Sequence, residues 1–149
     1  MKNLYIVQVD VAATMGSMEA YLPYTAGVLA AAAWQSETVR NSFCFKDFIF
    51  LRKSPDEVVS EMDNPGVVAF SCYSWNTEYN KILAKKIKQK YPECLTVFGG
   101  HNVPVNTSFL EQFSYIDILC FGEGEVSFTG LLEGIAENRL QDTKGIAIR

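Results

Sequence analysis

The feature that most constrains the fold is the regular alternation of short β-type runs with helix-type segments along the whole chain. Leu4 to Val11 is almost continuously apolar and rich in β-branched residues, which is typical of a central strand covered on both faces. Further strands are predicted at residues 45–51, 67–71, 95–98 and 116–121, with helical segments between them. This alternation favours a parallel sheet whose strands are joined by crossover helices.

The helical segments carry start signals of their own. Pro23 stands where the first turn of a helix tolerates proline, and the apolar run after it predicts a helix to about Glu37. The capping box at residues 54–57 predicts a short helix to Met62, and helical spacing of apolar residues predicts others from Asn76 or Thr77 to Tyr91, near 108–113 and after 122–125. We therefore expect an α/β fold: a Rossmann-like, flavodoxin-type five-stranded parallel sheet with helices on both faces. Residues 145–148 are a candidate sixth edge strand.

Composition narrows the class of protein and of partner. The chain has 149 residues, which predicts a single domain spanning 1–149. With 13 Lys and Arg against 17 Asp and Glu, the net charge is −4, and we expect no nucleic acid partner because phosphate binding needs a basic stripe. The longest apolar stretch is too short to span a membrane, so no membrane partner is expected either.

The four cysteines are Cys44, Cys72, Cys94 and Cys120, and no two lie close enough for a C-x-x-C pair. Zinc, iron–sulfur and thioredoxin-like sites are therefore not predicted. Each cysteine stands in an apolar context, which favours buried free thiols in a reducing cytoplasm. No signal peptide opens the sequence, which also predicts a cytoplasmic location.

Open parallel sheets bind ligands beyond the carboxyl ends of their strands. The connections that follow the first, third, fourth and fifth predicted strands are unusual, because two carry paired glycines and one carries an aromatic cluster. Glycines there either admit a ligand close to the backbone or only tighten a turn. The residues that we predict to bind a cofactor are Thr14, Met15, Gly16, Ser71, Cys72, Tyr73, Trp75, Asn76, Gly99, Gly100, His101, Asn102, Val103, Gly122, Glu123 and Gly124.

Familiar nucleotide motifs are missing from these connections. The segment from Asp10 to Gly16 does not carry the G-x-G-x-x-G fingerprint, and no phosphate loop of the G-x-x-x-x-G-K-[ST] type occurs. Thr14 and Ser17 only hint at a flavin phosphate loop. Two alternatives stay open. One is a flavodoxin-like, flavin-binding electron carrier, and the other is a ligand-free interaction domain whose apolar first helix docks onto a partner.

Three runs, at residues 68–76, 97–104 and 116–125, taken in this order, resemble the amino-terminal cobalamin-binding domain of cobalamin-dependent radical S-adenosylmethionine enzymes. Residues 21–24 with Gly27 resemble the start of that domain's first helix, and residues 145–149 resemble its last strand, so the resemblance covers nearly the whole chain. It implies cobalamin (vitamin B12) as the cofactor. It also implies a catalytic radical S-adenosylmethionine domain as the partner, in cis or in trans, which alone would hold the 4Fe-4S cluster and S-adenosylmethionine.

The chain departs from that family pattern in two respects. It has no C-x-x-x-C-x-x-C cluster, so we expect an amino-terminal domain of a longer protein, or a stand-alone relative, that is not catalytic by itself. It also lacks the D-x-H-x-x-G motif whose histidine ligates cobalt, since Asp10-Val11-Ala12 has no histidine at the required place. The resemblance therefore implies a base-off cobalamin without a protein ligand to the metal. His101 is better interpreted as a hydrogen-bonding loop residue, and no catalytic residue is assigned.

Each candidate residue has a physical role in this interpretation. Gly99 and Gly100 would clear a path for the nucleotide tail, and Ser71 would offer a hydroxyl at a strand end. Residues 122–124 would present backbone N–H groups near a helix start, where anionic groups are favoured. Tyr73 and Trp75 would lie under the corrin face, although ordinary packing against the next helix explains them equally well.

Overall fold

The computed structural model of this protein describes residues 1–10 and 22–149. Within them the strands are β1 (Lys2–Val7), β2 (Phe43–Ile49), β3 (Pro65–Ser71), β4 (Leu95–Gly99), β5 (Ile118–Cys120) and β6 (Ile146–Ile148). The helices are α1 (Tyr24–Ala33), α2 (Glu37–Ser42), α3 (Pro55–Glu61), α4 (Thr77–Lys90), α5 (Ser108–Gln112) and α6 (Gly124–Ala136), with a 3₁₀ turn at Leu140–Asp142. Among the described residues, no helix combines the length and the apolar character that crossing a membrane requires.

The strands form one sheet in the order β2-β1-β3-β4-β5-β6. The first five run parallel, and β6 pairs antiparallel with β5. The predicted α/β fold is thus confirmed, with a sixth strand added at the edge predicted for residues 145–148. Strand order reverses beside β1, because β2 lies on one side of it and β3 on the other. The carboxyl ends of β1 and β3 therefore form the switch point where open sheets bind ligands.

Both faces of the sheet are covered, which explains the uninterrupted apolar character of β1. Leu4 and Ile6 pack on the face that carries α1, α2 and α6, whereas Tyr5 and Val7 pack on the face of α3, α4 and α5. Successive side chains of a strand point to opposite faces. A strand buried on both faces therefore needs apolar residues at every position.

The first helix is shorter than predicted. It ends at Ala33, where the backbone N–H groups of residues 35 and 36 bond three residues back instead of four, which tightens the last turn. Ser36 then starts α2, since its Oγ accepts a hydrogen bond from Val39 N at 3.4 Å. The prediction of one helix to Glu37 was wrong because it overlooked this serine cap.

Strand boundaries differ from the predicted ones by a few residues. Strand β2 begins at Phe43 and ends at Ile49, earlier than predicted, and β5 covers only Ile118–Cys120. The capping serine before α3 is confirmed, because Ser54 Oγ accepts a hydrogen bond from Glu57 N at 3.2 Å. These shifts change only the length of the strands. The carboxyl ends of the five parallel strands still lie at the same edge of the sheet, as the sequence predicts.

Candidate functional site

A cleft opens between the sheet and the α1–α6 layer because side chains on this face become smaller toward the carboxyl edge. Along β3 the residues on this face change from Val67 to Ala69 to Ser71, and along β4 they change from Val97 to Gly99. Helices α1 and α6 cover this face and line the opposite side of the cleft. The space left at the edge is the cleft.

The cleft has a volume of about 460 Å³, within the range of small-molecule pockets. Its floor is one row of paired residues, Ile6, Ala69 and Val97. Two residues further along the strands, the row of Ser71, Gly99 and Cys120 forms its rim. The cleft therefore extends under the rim, along the sheet, and is not only a groove on top of it.

Helices α1 and α6 supply the opposite wall of the cleft, mainly through Leu29 and Phe128. Gly124, the first residue of α6, packs against α1, because a Cβ built there would lie 2.8 Å from Leu29 Cδ2. The Glu123 carbonyl accepts hydrogen bonds from Ser127 N and Ser127 Oγ, at 3.0 and 2.9 Å, and so fixes the first turn of α6. The start of α6 is thereby held at the mouth of the cleft.

The two glycines after β4 have different roles. Gly99 faces the cleft, and a Cβ there would meet Cys120 only at ordinary contact distances of 3.5 Å. Gly100 has φ +108°, and a Cβ there would lie 2.7 Å from the Cys72 carbonyl oxygen. Gly100 is thus required by the turn that binds the ends of β3 and β4 together, and only Gly99 leaves its missing side chain as open space in the cleft.

An aromatic group stands at the mouth of the cleft. The rings of Tyr73 and Trp75 are stacked, with centroids 4.7 Å apart and an interplanar angle of 1°, and His101 lies 5.9 Å from Tyr73. Tyr73 OH and Thr25 Oγ1 are 3.3 Å apart, which ties the group to α1. Trp75 is 48% exposed. It borders a second pocket of about 200 Å³ beside the residues that follow β1, and Tyr73 lines this pocket as well as the cleft.

Asn76 holds this aromatic loop against the sheet. Its side chain is fully buried, and Nδ2 donates to the Val9 and Ser71 carbonyls at 2.9 and 3.0 Å. Its Oδ1 accepts from Tyr73 N at 2.8 Å. Asn76 precedes α4 as predicted, but its side chain does not cap that helix. It joins the carboxyl ends of β1 and β3 instead, at the switch point.

The four cysteines are free thiols in different surroundings. Burial raises the pKa of Cys72 to about 12 and that of Cys94 to about 12, so both are unreactive at neutral pH. Cys120 borders the cleft and donates its S–H to Ser127 Oγ at 3.3 Å. Burial raises the pKa of Cys120 as well.

The predicted residues fall into three groups. Those that line the cleft are Ser71, Tyr73, Gly99, Gly100, His101, Val103, Gly122 and Gly124. Those that lie beside or behind it are Trp75 at the mouth, the buried Cys72 and Asn76, Asn102 with its Nδ2 bonded to Thr77 Oγ1, and the exposed Glu123. Thr14, Met15 and Gly16 lie outside the described residues.

Sequence reasoning missed the residues that give the cleft its depth. These are Ile6, Val28, Leu29, Ala69, Val97, Cys120 and Phe128. One signal for them was available, because every second residue of β3 shrinks toward the carboxyl end while Val68 and Phe70 on the other face stay large. This decrease in side-chain size predicts a cleft only when it is known that α1 and α6 cover the same face of the sheet.

A doubly wound sheet with a slot beneath its carboxyl edge defines the class: an α/β domain that binds an organic cofactor. Comparison with known families agrees, since the profile of the family described as "B12 binding domain" matches residues 22–132. The chain belongs to the B12 binding domain family, and cobalamin is the cofactor that this membership assigns. The resemblance seen in the sequence is confirmed.

Two curated relatives extend this match. The chain is 39% identical over 113 residues to the cobalamin-dependent radical SAM methyltransferase TokK of Streptomyces tokunonensis. It is 35% identical over 113 residues to the 2-(S-pantetheinyl)-carbapenam-3-carboxylate methyltransferase of Streptantibioticus cattleyicolor. Each match covers 75% of this chain and 17% of the relative, so the chain spans only a small part of the length of these proteins.

A solved structure shares the fold. It is that of the radical S-adenosylmethionine methyltransferase TsrM from Kitasatospora setae, with a TM-score of 0.67 and 17% sequence identity, covering 99% of this chain and 28% of that one. The Rossmann-like fold prediction is therefore confirmed by comparison as well as by topology. These matches give no support to the flavin-carrier alternative.

Proposed function

We propose that this chain is the cobalamin-binding domain of a radical S-adenosylmethionine methyltransferase, and that the cleft under the sheet edge holds the nucleotide tail of the cofactor. The observation that carries the proposal is the cleft itself, about 460 Å³ between the sheet and the α1–α6 layer, in a member of the B12 binding domain family. When bound, cobalamin supplies a cobalt centre suited to carrying a methyl group. The chain's own residues bind the cofactor and orient it.

The shape and lining of the cleft fit such a tail. A flat aromatic base needs two apolar walls, and the cleft offers the sheet row of Ile6, Ala69 and Val97 on one side and Leu29 with Phe128 on the other. The first turn of α6 borders the opening, and the N–H groups of a helix start favour the phosphate of a nucleotide. Gly99 on the rim leaves the entrance free of a side chain.

The same placement supports a base-off cofactor. One benzimidazole base cannot lie in the cleft and ligate cobalt at the same time. His101, the single histidine of the chain, is exposed on the loop after β4 and beside Tyr73. That position suits a hydrogen bond along the tail better than a bond to the metal.

The partner in this proposal is a catalytic radical S-adenosylmethionine domain, in cis or in trans, which would hold the 4Fe-4S cluster and S-adenosylmethionine. Two observations support it: the much greater length of the curated relatives, and the exposed apolar residues at the cleft, Val105 in its lining and Trp75 at its mouth. Helix α1 packs against α6 and walls the cleft, which favours a binding domain over a ligand-free docking module. The four free thiols and the net charge of −4 fit a cytoplasmic protein without a nucleic acid or membrane partner.

The proposal is tested by mixing the purified chain with hydroxocobalamin and separating bound from free cofactor by gel filtration. We expect the red chromophore to elute with the protein, in about equimolar amount, with the absorbance spectrum of a base-off corrinoid. Circular dichroism of the same fractions reports whether the protein is folded. A folded protein that leaves all of the chromophore in the free-cofactor peak contradicts the proposal.

A further inference from the structure

We infer that the cleft selects cobamides by the chemistry of their nucleotide base, and that it prefers a benzimidazole to a purine. This inference rests on the proposed function, since it concerns the same cleft. The observation behind it is the distribution of polar groups along the cleft.

The deep part of the cleft presents only apolar side chains. Ile6, Ala69 and Val97 form the floor, and Leu29 and Phe128 face them. The floor residues lie inside the paired region of β1, β3 and β4, so their backbone N–H and C=O groups take part in the sheet ladder. A base that enters this region meets no side chain able to donate or accept a hydrogen bond.

The polar side chains that line the cleft are Ser71 on the rim, His101 on the loop after β4, Glu125 in the first turn of α6, and Thr25, Tyr73 and Ser127, which are already bonded within the protein. Ser127 Oγ donates to the Glu123 carbonyl at 2.9 Å and accepts from Cys120 Sγ at 3.3 Å. Thr25 Oγ1 and Tyr73 OH contact each other at 3.3 Å. These groups are therefore poor partners for additional polar atoms on the base.

The two kinds of base differ in the number of polar atoms at the edge that enters first. A dimethylbenzimidazole leads with a carbocyclic edge that carries two methyl groups. A purine leads with a ring that carries two nitrogens and, in adenine, an amino group as well. Burying such atoms without partners is unfavourable, whereas burying methyl groups is favourable. One unpaired polar group lowers affinity by about tenfold or more.

The test compares three corrinoids by equilibrium dialysis against the purified chain: cobalamin, the cobamide with adenine as its base, and cobinamide, which lacks the nucleotide. We expect cobalamin to bind at least about tenfold more tightly than the adenine cobamide, the effect of one unpaired buried polar group. Cobinamide, without a tail, is expected to bind most weakly. Equal affinities for cobalamin and the adenine cobamide overturn the inference.

A pair of variants makes the residue assignment testable. Val97→Thr places a hydroxyl on the cleft floor with little change of shape, and we expect it to reduce the preference for cobalamin several-fold. Val67→Thr makes the same change on the same face, at a buried position that does not line the cleft, and should leave the preference unchanged. Thermal unfolding of both variants reports their folding. Equal effects of both substitutions on the preference overturn the assignment.

The outcomes separate this inference from the proposed function. If none of the three corrinoids binds to the folded protein, the proposed function fails. If cobinamide binds as tightly as cobalamin, the tail does not enter the cleft; corrinoid binding then stands and the inference falls. If cobalamin and the adenine cobamide bind equally and both exceed cobinamide, the tail site stands and only the selectivity fails.

Discussion

Filling the rim of the cleft at Gly99 is the most direct test of where the nucleotide tail lies. A flat ring between two walls needs roughly 7–8 Å between the facing atoms, because each contact takes about 3.5–4 Å. A valine at position 99 would project its methyl groups about 2.5 Å from Cα, since each C–C bond adds about 1.5 Å. Gly99→Val thus removes about a third of the clearance at the entrance. Gly99 borders the cleft directly, so the lost space lies on the path that we propose for the tail.

The folded state should accept this substitution. Gly99 lies in β4, outside the left-handed region of φ, and a Cβ there makes only ordinary contacts with Cys120 at 3.5 Å. Valine favours a strand, and glycine in a strand is less stable than alanine by about 0.5–1 kcal/mol. We therefore expect the free energy of unfolding in urea to stay the same or to rise by up to about 1 kcal/mol.

Cobalamin binding should weaken by a factor that follows from the cost of overpacking. Forcing extra atoms into a filled site costs about 1–3 kcal/mol, which corresponds to about a 5- to 150-fold increase in Kd. The assay is equilibrium dialysis with hydroxocobalamin, and the control is Gly27→Ala, at a helical glycine with no atom within 4 Å of its Cβ position. A Gly99→Val protein that unfolds like wild type and binds cobalamin equally well would refute the placement of the tail.

Three further predictions follow from neighbouring contacts. Bound cobalamin should protect Cys120, which borders the cleft, from alkylation at pH 8.5 but leave Cys44 unprotected, as measured by mass spectrometry of the labelled peptides; equal protection of both thiols speaks against the site. Because burial raises the pKa of Cys120, its labelling without cofactor should increase as the pH rises. Asn76→Ala should lower the free energy of unfolding in urea by at least about 2 kcal/mol, because it removes the side-chain donor to the Val9 carbonyl and the acceptor for Tyr73 N; a loss below about 1 kcal/mol contradicts its role at the switch point. His101→Ala should leave the absorbance and cobalt(II) paramagnetic resonance spectra of bound cobalamin unchanged, and the loss of an imidazole hyperfine signal would show that His101 ligates the metal.

Local chemistry made much of the fold predictable. The β-branched runs and the helical spacing of apolar residues identified the parallel strands and the helices between them, because these patterns arise from burial on two faces or on one. The resemblance of the third, fourth and fifth strand ends to a cobalamin-binding domain identified the family. The end of α1 at Ala33 was missed although Ser36 carries a local signal, since the apolar run continues beyond Ala33 to Trp34.

The sequence by itself determined which elements form and which strand ends carry small or aromatic residues, because these depend on neighbours along the chain. Tertiary structure decided which of those residues share a site. Gly99 and Gly100 look equivalent in the sequence, yet only the approach of the Cys72 backbone at 2.7 Å makes Gly100 a requirement of the turn. The cleft likewise exists because Ala69, Ser71 and Gly99 come into register on the one face that α1 and α6 cover. Register and layer packing are relations between distant segments, and they determine where a small side chain becomes an open space.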